Sequence, residues 1–312
     1  MNILGFLLVL FCGTLAAQPV VRMVVPFGAG AVQDTIARSI STELGQALGR
    51  NVIVENRAGA GGTIGTGSVA KSPPDGNTLI LAGASHTIAG SLYARLPYHP
   101  LNDFTPIANI GTADYAFIVN AALPARSIAE FIAYARANPG KLNYASAGSG
   151  SATHLSMAYF ASLAGVDMVH IPLKSTGDAV NEVLAGRAHA VIAATIGAIP
   201  FARDARVRLV AMTGARRSKY LPELPTVAES GLPGYEFDSW IGVLGPAGLP
   251  KATVEQLGAA MAAVMKDPSV LDRLNKQGVE PRYLGPEAFG LLLRDNYARM
   301  AQVVKASGAR ID

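Results

Sequence analysis

Serine, threonine and glycine, rather than acids or bases, carry the chemistry that stands out in this chain. Four short segments combine them. Residues 27–33 hold Phe27, Gly28, Ala29 and Gly30; residues 83–87 hold Ser85, His86 and Thr87; residues 146–153 hold Ser146, Gly148, Ser149, Gly150, Ser151 and Thr153; residues 174–177 hold Ser175, Thr176 and Gly177. Small residues let a guest approach the backbone closely, and hydroxyls add adjustable donors. Where such a segment feeds a helix, unpaired first-turn N–H groups and a partial positive charge suit an anion. A carboxylate receiving about four charge-assisted bonds gains roughly 6–12 kcal/mol before ordering costs. Micromolar capture needs about 8 kcal/mol net, so preformed segments help. Each segment alone reads as a tight turn; together they read as a site.

Other residues with chemical potential each have a plain structural reading. Asp34 is placed to cap the helix that follows residues 27–33. His86 can donate to a carboxylate or stand idle in an exposed loop, and Lys174 can supply counter-charge or simply be solvated. Trp240 packs near a hinge or closes over a ring in the cleft. Residues 59–62 shape a turn. The enzyme motifs are incomplete. Gly65, Gly67 and Ala70 fit a dinucleotide fingerprint in spacing but do not directly follow a strand, and Gln33 breaks the one begun by Gly28 and Gly30. Ser68 and Lys71 have the spacing of a penicillin-recognising nucleophile motif, yet its two companion motifs are missing. The five histidines, at 86, 99, 154, 170 and 189, show no metal-ligand spacing. The expectation is a binding protein without metal or cofactor, and not an enzyme.

The elements that must position these segments alternate. The run 20–26 reads as a buried strand, 34–48 as a helix with Ile36, Ile40, Leu44 and Leu48 at every fourth residue, and Gly49 as its stop. Strands at 51–55 and 77–82 and a helix near 63–71 complete a first set. A second set follows: helix 128–138, strand 141–145, helix 152–164, strand 167–171, helix 178–185, and strands 188–193 and 206–213. The order predicts an α/β fold with largely parallel sheets. Two sets predict two lobes. The last segment, with helices at 253–266 and 287–306 and a strand near 279–283, has too few strands to stand alone and is expected to return to the first lobe. The predicted division is 18–118 and 237–312 for lobe 1 and 119–236 for lobe 2, with hinge crossings near 116–120 and 236–242 and a ligand cleft between the lobes.

Composition sets the setting. Of 312 residues half are apolar and 15% charged, enough for a sizeable core. Residues 1–17 are uncharged and nearly all apolar, too short for a comfortable membrane span, and end in small residues. They read as a cleavable signal peptide, with a retained anchor helix as the alternative. Cys12 is the sole cysteine and falls within that segment. The formal net charge of +4 mildly favours anions. No basic run interleaves with aromatics, so nucleic-acid binding is not expected.

The chain resembles the substrate-binding receptors of tripartite tricarboxylate transporters, the Bug-type periplasmic receptors. The stretches that carry the resemblance are VENRAGAGGTIGTGSVAKSPPDGNTLIL at 54–81, LNYASAGSGSATHLS at 142–156, LPELPTVAESGLPGYE at 221–236 and SWIGVLGPAGLPK at 239–251. The resemblance implies a two-lobed, type II-like periplasmic solute-binding fold, closing on a small carboxylate as a Venus flytrap does and presenting it to membrane permease subunits. It implies a monomer. By position, 27–30, 85–87, 146–153 and 174–177 match the family's ligand segments. Ala31, Ser175 with Thr176, His86 and Ala194 depart from the usual pattern, and these positions select the ligand. An exported ligand sensor or scaffold of the same fold, without transport, is the alternative function.

Overall fold

The valine-rich run at the start forms strand β1 (Val21–Val25), with Val21, Met23, Val24 and Val25 buried. Helix α1 (Val32–Leu48) follows, and Ile36, Ile40 and Leu44 form its fully buried stripe. Each of those side chains contributes about 1.5–3 kcal/mol by leaving water. Gly49 ends the helix at φ 62°, a left-handed conformation that costs glycine nothing. Strand β2 (Val52–Asn56), helix α2 (Thr63–Ala70) and strand β3 (Thr78–Gly83) continue the alternation. Every residue of β3 is buried, as expected of a strand covered on both faces. The computed structural model describes residues 20–311, so the leader expected at 1–17 lies outside the described residues.

Beyond β3 the structure adds detail that the sequence reading lacks. The segment 83–87, read as a loop feeding a helix, already lies in that helix from Ala84 on: α3 (Ala84–Leu92) starts directly where β3 ends. The stretch predicted to contain a hinge at 116–120 is the C-terminal part of one long strand, β4 (Phe104–Asn120). Pro106, Gly111 and Asp114 disguise that strand in the sequence, because each is a poor strand former. The second predicted crossing begins strand β9 (Asp238–Pro246), nearly all of it buried.

The second series comprises α4 (Ile128–Ala137), β5 (Leu142–Ser146), α5 (Ala152–Ala164), β6 (Met168–Pro172), α6 (Thr176–Leu184), β7 (Ala190–Ala194), the short α7 (Thr195–Ala198) and β8 (Val207–Met212). After β9 come α8 (Lys251–Val264), α9 (Pro268–Lys276), β10 (Val279–Leu284) and α10 (Pro286–Ser307). Helix α9 went unpredicted; its Pro268 at the first position, capped by Asp267, is a standard start signal.

Strand β4 belongs to two sheets. Up to Asp114 it pairs with β9 and β10 in a sheet ordered β2-β1-β3-β9-β4-β10. From Tyr115 it pairs with β7 and β8 in a sheet ordered β6-β5-β7-β4-β8. The strands β1, β2 and β3 run parallel, as do β5, β6 and β7, while β4 and β9 run against their neighbours. The result is an α/β molecule of two lobes, each built around one sheet and joined where β4 passes from one to the other. Phe237 N–H, at the entry to β9, donates to Thr213 O beside Tyr115, forming the second strand of the junction. Helix α10 packs on both α3 and α5, and Ser162 Oγ of α5 donates to Ala306 O at 2.5 Å.

Candidate functional site

A narrow cavity opens between the two sheets. The first lobe lines it with Phe27, Ala31, Val32, Gln33 and Ser85. The second contributes Ala147, Ser151, Ala152, Thr153, Thr176 and Ala194, and the crossing strands add Ala113, Tyr115, Ser239 and Ile241. No charged side chain is among these lining residues. What converges instead is helix N-termini: α1 and α3 from one side, α5 and α6 from the other.

The two sides differ in how those helix ends are finished. Ala31 and Gly83 precede α1 and α3, and neither supplies a side-chain cap. Ser239 Oγ takes the first amide of α3, that of Ala84, at 2.9 Å. Across the cavity, Ser151 Oγ caps α5 through His154 N–H at 3.2 Å, and Ser175 Oγ caps α6 through Asp178 N–H at 3.1 Å. The first lobe therefore presents α1 to the cavity without a side-chain cap and α3 with its first amide taken by Ser239, while α5 and α6 of the second lobe are capped by their own serines.

Asp34, in the first turn of α1, does not occupy the cavity. Its carboxylate receives Gly30 N–H at 2.9 Å, Asn56 Nδ2 at 3.0 Å and Arg38 at 2.9 Å. Burial works against its charge, but the bonds from Arg38, the Gly30 N–H and Asn56 outweigh it and hold the carboxyl below its ordinary range. The acid is thus spent on shaping the 27–31 turn, with its charge neutralised by Arg38.

The predicted residues divide. Phe27, Ser85, Ser151, Thr153 and Thr176 line the cavity. Gly28 is half-buried, while Ala29 and Gly30 are exposed and turned outward. Thr87 is fully buried behind the cavity, its hydroxyl 2.6 Å from Asn296 Oδ1 of α10. His86 is not an exposed loop histidine: it is 3% exposed, edge-on to Phe104 at 4.6 Å, and donates from Nε2 to Pro100 O at 2.7 Å. Burial lowers its imidazole to about 4 in spite of that bond, so it carries no charge near neutral pH. It borders a second, smaller cavity that shares Phe27 and Ser85 with the first. Trp240 does not close over the cavity. A strand alternates its faces, so Ser239 and Ile241 face the cavity while Trp240 packs on Phe289 and donates to Asn296 Oδ1 at 3.1 Å.

Ser146, Gly148, Ser149 and Gly150 build the turn before α5 rather than the cavity wall. Ser146 Oγ lies 2.6 Å from His170 Nε2, and Gly150 N–H donates to His154 Nδ1 at 3.2 Å. The imidazoles of His154 and His170 stack at 4.1 Å. Burial lowers His154 to about 4; burial and then the proximity of His154 lower His170 to about 3. Ser175 and Gly177 flank Thr176 without lining the cavity. Ala31 and Ala194, named from the resemblance as ligand-selecting positions, line the cavity, as do Val32, Gln33, Ala147 and Ala152 inside the predicted segments; sequence reasoning missed Ala113, Tyr115, Ser239 and Ile241 on the crossing strands. Alternation along 113–115 and 239–241 was the available signal for these four. Burial raises the Tyr115 phenol to about 12, so it offers a neutral hydroxyl.

Two lobes on a shared strand, with helix N-termini facing a central cavity, define the class of two-lobed solute-binding proteins. The model of the tripartite tricarboxylate transporter family receptor matches residues 36–309, and the chain belongs to that family. The periplasmic binding protein BugD is 34% identical, superposes with a TM-score of 0.88, and the match covers 93% of this chain and 98% of BugD. The protein Rpa4515 of R. palustris, solved with adipate, gives the same identity, TM-score and coverage. MatC of Rhodopseudomonas palustris, solved with malate, is 31% identical with a TM-score of 0.86, covering 91% of this chain and 98% of MatC.

Proposed function

We propose that this protein is an exported receptor that captures a small carboxylate in the central cavity and delivers it to the permease subunits of a tripartite tricarboxylate-type transporter. One observation carries the reading: the uncapped first turn of α1, and that of α3 beyond the Ala84 N–H taken by Ser239, face a cavity with no charged side chain in its lining. A carboxylate fits such a place, because helix amides and dipoles stabilise its charge without a competing cation. The adipate and malate held by the two relatives are of the same chemical class. The lobes, 18–118 with 237–312 and 119–236, close on the solute, and only contacts that differ between open and closed forms shift that balance. Residues 1–17 act as the export leader, and no step of the function requires catalysis.

A thermal-shift screen over mono-, di- and tricarboxylates tests this. At least one acid is expected to raise the melting temperature in a saturable way, by about 2.7 kcal/mol of added stability at a hundredfold excess over Kd. If no acid in the series shifts the transition while an amine or a neutral sugar does, the reading is wrong.

A further inference from the structure

Around the mouth of the cavity the two lobes touch without any contribution from the cavity lining. Tyr93, the residue that ends α3, places its hydroxyl 2.7 Å from Ala60 O in its own lobe and 3.1 Å from Ser149 O in the other. A phenol has one proton, so the two carbonyls share it. The backbone is shaped around this contact. Ala60 is the one non-glycine among the described residues with positive φ, at 45°, a conformation alanine adopts only under local constraint. At Gly150, φ +86°, a Cβ would lie 2.6 Å from the Tyr93 hydroxyl. At Gly61, φ +63°, a Cβ would lie 2.3 Å from Ser149 O. Two glycines thus let the 59–62 turn of one lobe and the 146–151 turn of the other meet backbone to backbone.

We propose that Tyr93 is the clasp of the closed form: anchored on Ala60, its hydroxyl seizes the Ser149 carbonyl as the lobes meet and holds the cleft shut. Tyr93, Ala60, Gly61, Ser149 and Gly150 all lie outside the cavity lining. The clasp therefore acts on closure and not on solute identity. It differs from a second bond at the cleft, Ala152 N–H to Ser85 Oγ at 3.0 Å, which joins two lining residues and so is open to the solute. The inference rests on the two-lobed closing receptor proposed above, and its test separates the two.

The variant Tyr93→Phe keeps the ring and removes the hydroxyl. Calorimetry with adipate, malate and propionate is expected to show every acid that binds the natural protein weakened by the same factor, roughly three- to tenfold, with their ranking unchanged and the loss in the dissociation rate. Unchanged affinity, or a changed ranking, overturns the clasp. Distances between spin labels on the exposed Lys71→Cys and Lys174→Cys, in a Cys12→Ser background, report closure directly and need no ligand. With or without acid, the short-distance fraction is expected to be smaller in Tyr93→Phe and smaller still in Gly150→Ala; identical distributions in all three proteins also overturn it. Failure of all three acids to bind the natural protein counts against the carboxylate reading and leaves the distance comparison to decide the clasp.

Discussion

The helix ends of the two lobes face the same cavity but are finished in opposite ways. In the first lobe, α1 and α3 begin at Ala31 and Gly83, which cannot cap. In the second, α5 and α6 begin at Ser151 and Ser175, which do. Capping contributes about 1 kcal/mol to a protein, so the first lobe forgoes stability at the helix ends that face the cavity. Local stability given up at a site is a common mark of function. Under the proposed function this difference would divide the work: the first lobe would grip the carboxylate through its less capped helix ends, and the second would close over it.

The strongest way to break this comparison is to give α1 the cap it lacks. Ala31→Asp is expected to raise folding stability by about 1 kcal/mol, since its carboxylate takes first-turn amides. It is also expected to weaken acid binding by about a hundredfold or more, through competition for the same donors and repulsion of the solute. Calorimetry and thermal unfolding on one preparation read both signs. An affinity that rises or stays level would place the anion elsewhere.

Acid should strike the lobes differently. Burial pushes the His86 imidazole down to about 4, from 6.5 when unperturbed. Because its folded value is depressed, its stability contribution is complete above about 6.5 and is lost as pH falls toward 4. His154 and His170 follow the same sign. Of the two turns at 27–33 and 146–151, the second is built on histidines, through Gly150 N–H to His154 and Ser146 to His170. Hydrogen exchange near pH 4 is therefore expected to loosen 146–151 before 27–33. The reverse order would mean that the imidazoles do not hold the turn.

The smallest effect sharpens the comparison from the other side. Ser175→Ala removes the cap of α6, whose side chain is outside the cavity lining, and is expected to cost about 1 kcal/mol in unfolding while leaving acid affinity within about twofold. A large affinity loss would show that the capping serines of the second lobe also bind.

How much of this was legible in the sequence depends on the scale of the signal. The period of Ile36, Ile40 and Leu44 located α1, and glycine- and serine-rich turns marked both sides of the cavity, because local propensity and burial agree there. The crossing strands were hidden: β4 contains Pro106, Gly111 and Asp114, and its strand character comes from partners distant in the chain. His86 and Trp240 look available in a sequence, yet the sheet and α10 bury both. Alternation gives the relative facing of residues 239–241, but which face meets the cavity is fixed by tertiary packing. The uncapped ends were readable, since Ala31 and Gly83 are visible, but an absent cap signals nothing until the helix start is known.

The most direct test of the central claim is a backbone amide titration by nuclear magnetic resonance with the acid that best stabilises the protein. If the first lobe grips the carboxylate, the amide protons of Val32, Gln33 and Ser85 move strongly downfield at saturation, as charge-assisted donors do, while Asp178 and His154, committed to their serine caps, move little. The largest downfield shifts on the second lobe's amides, with Val32 and Gln33 unmoved, would contradict it.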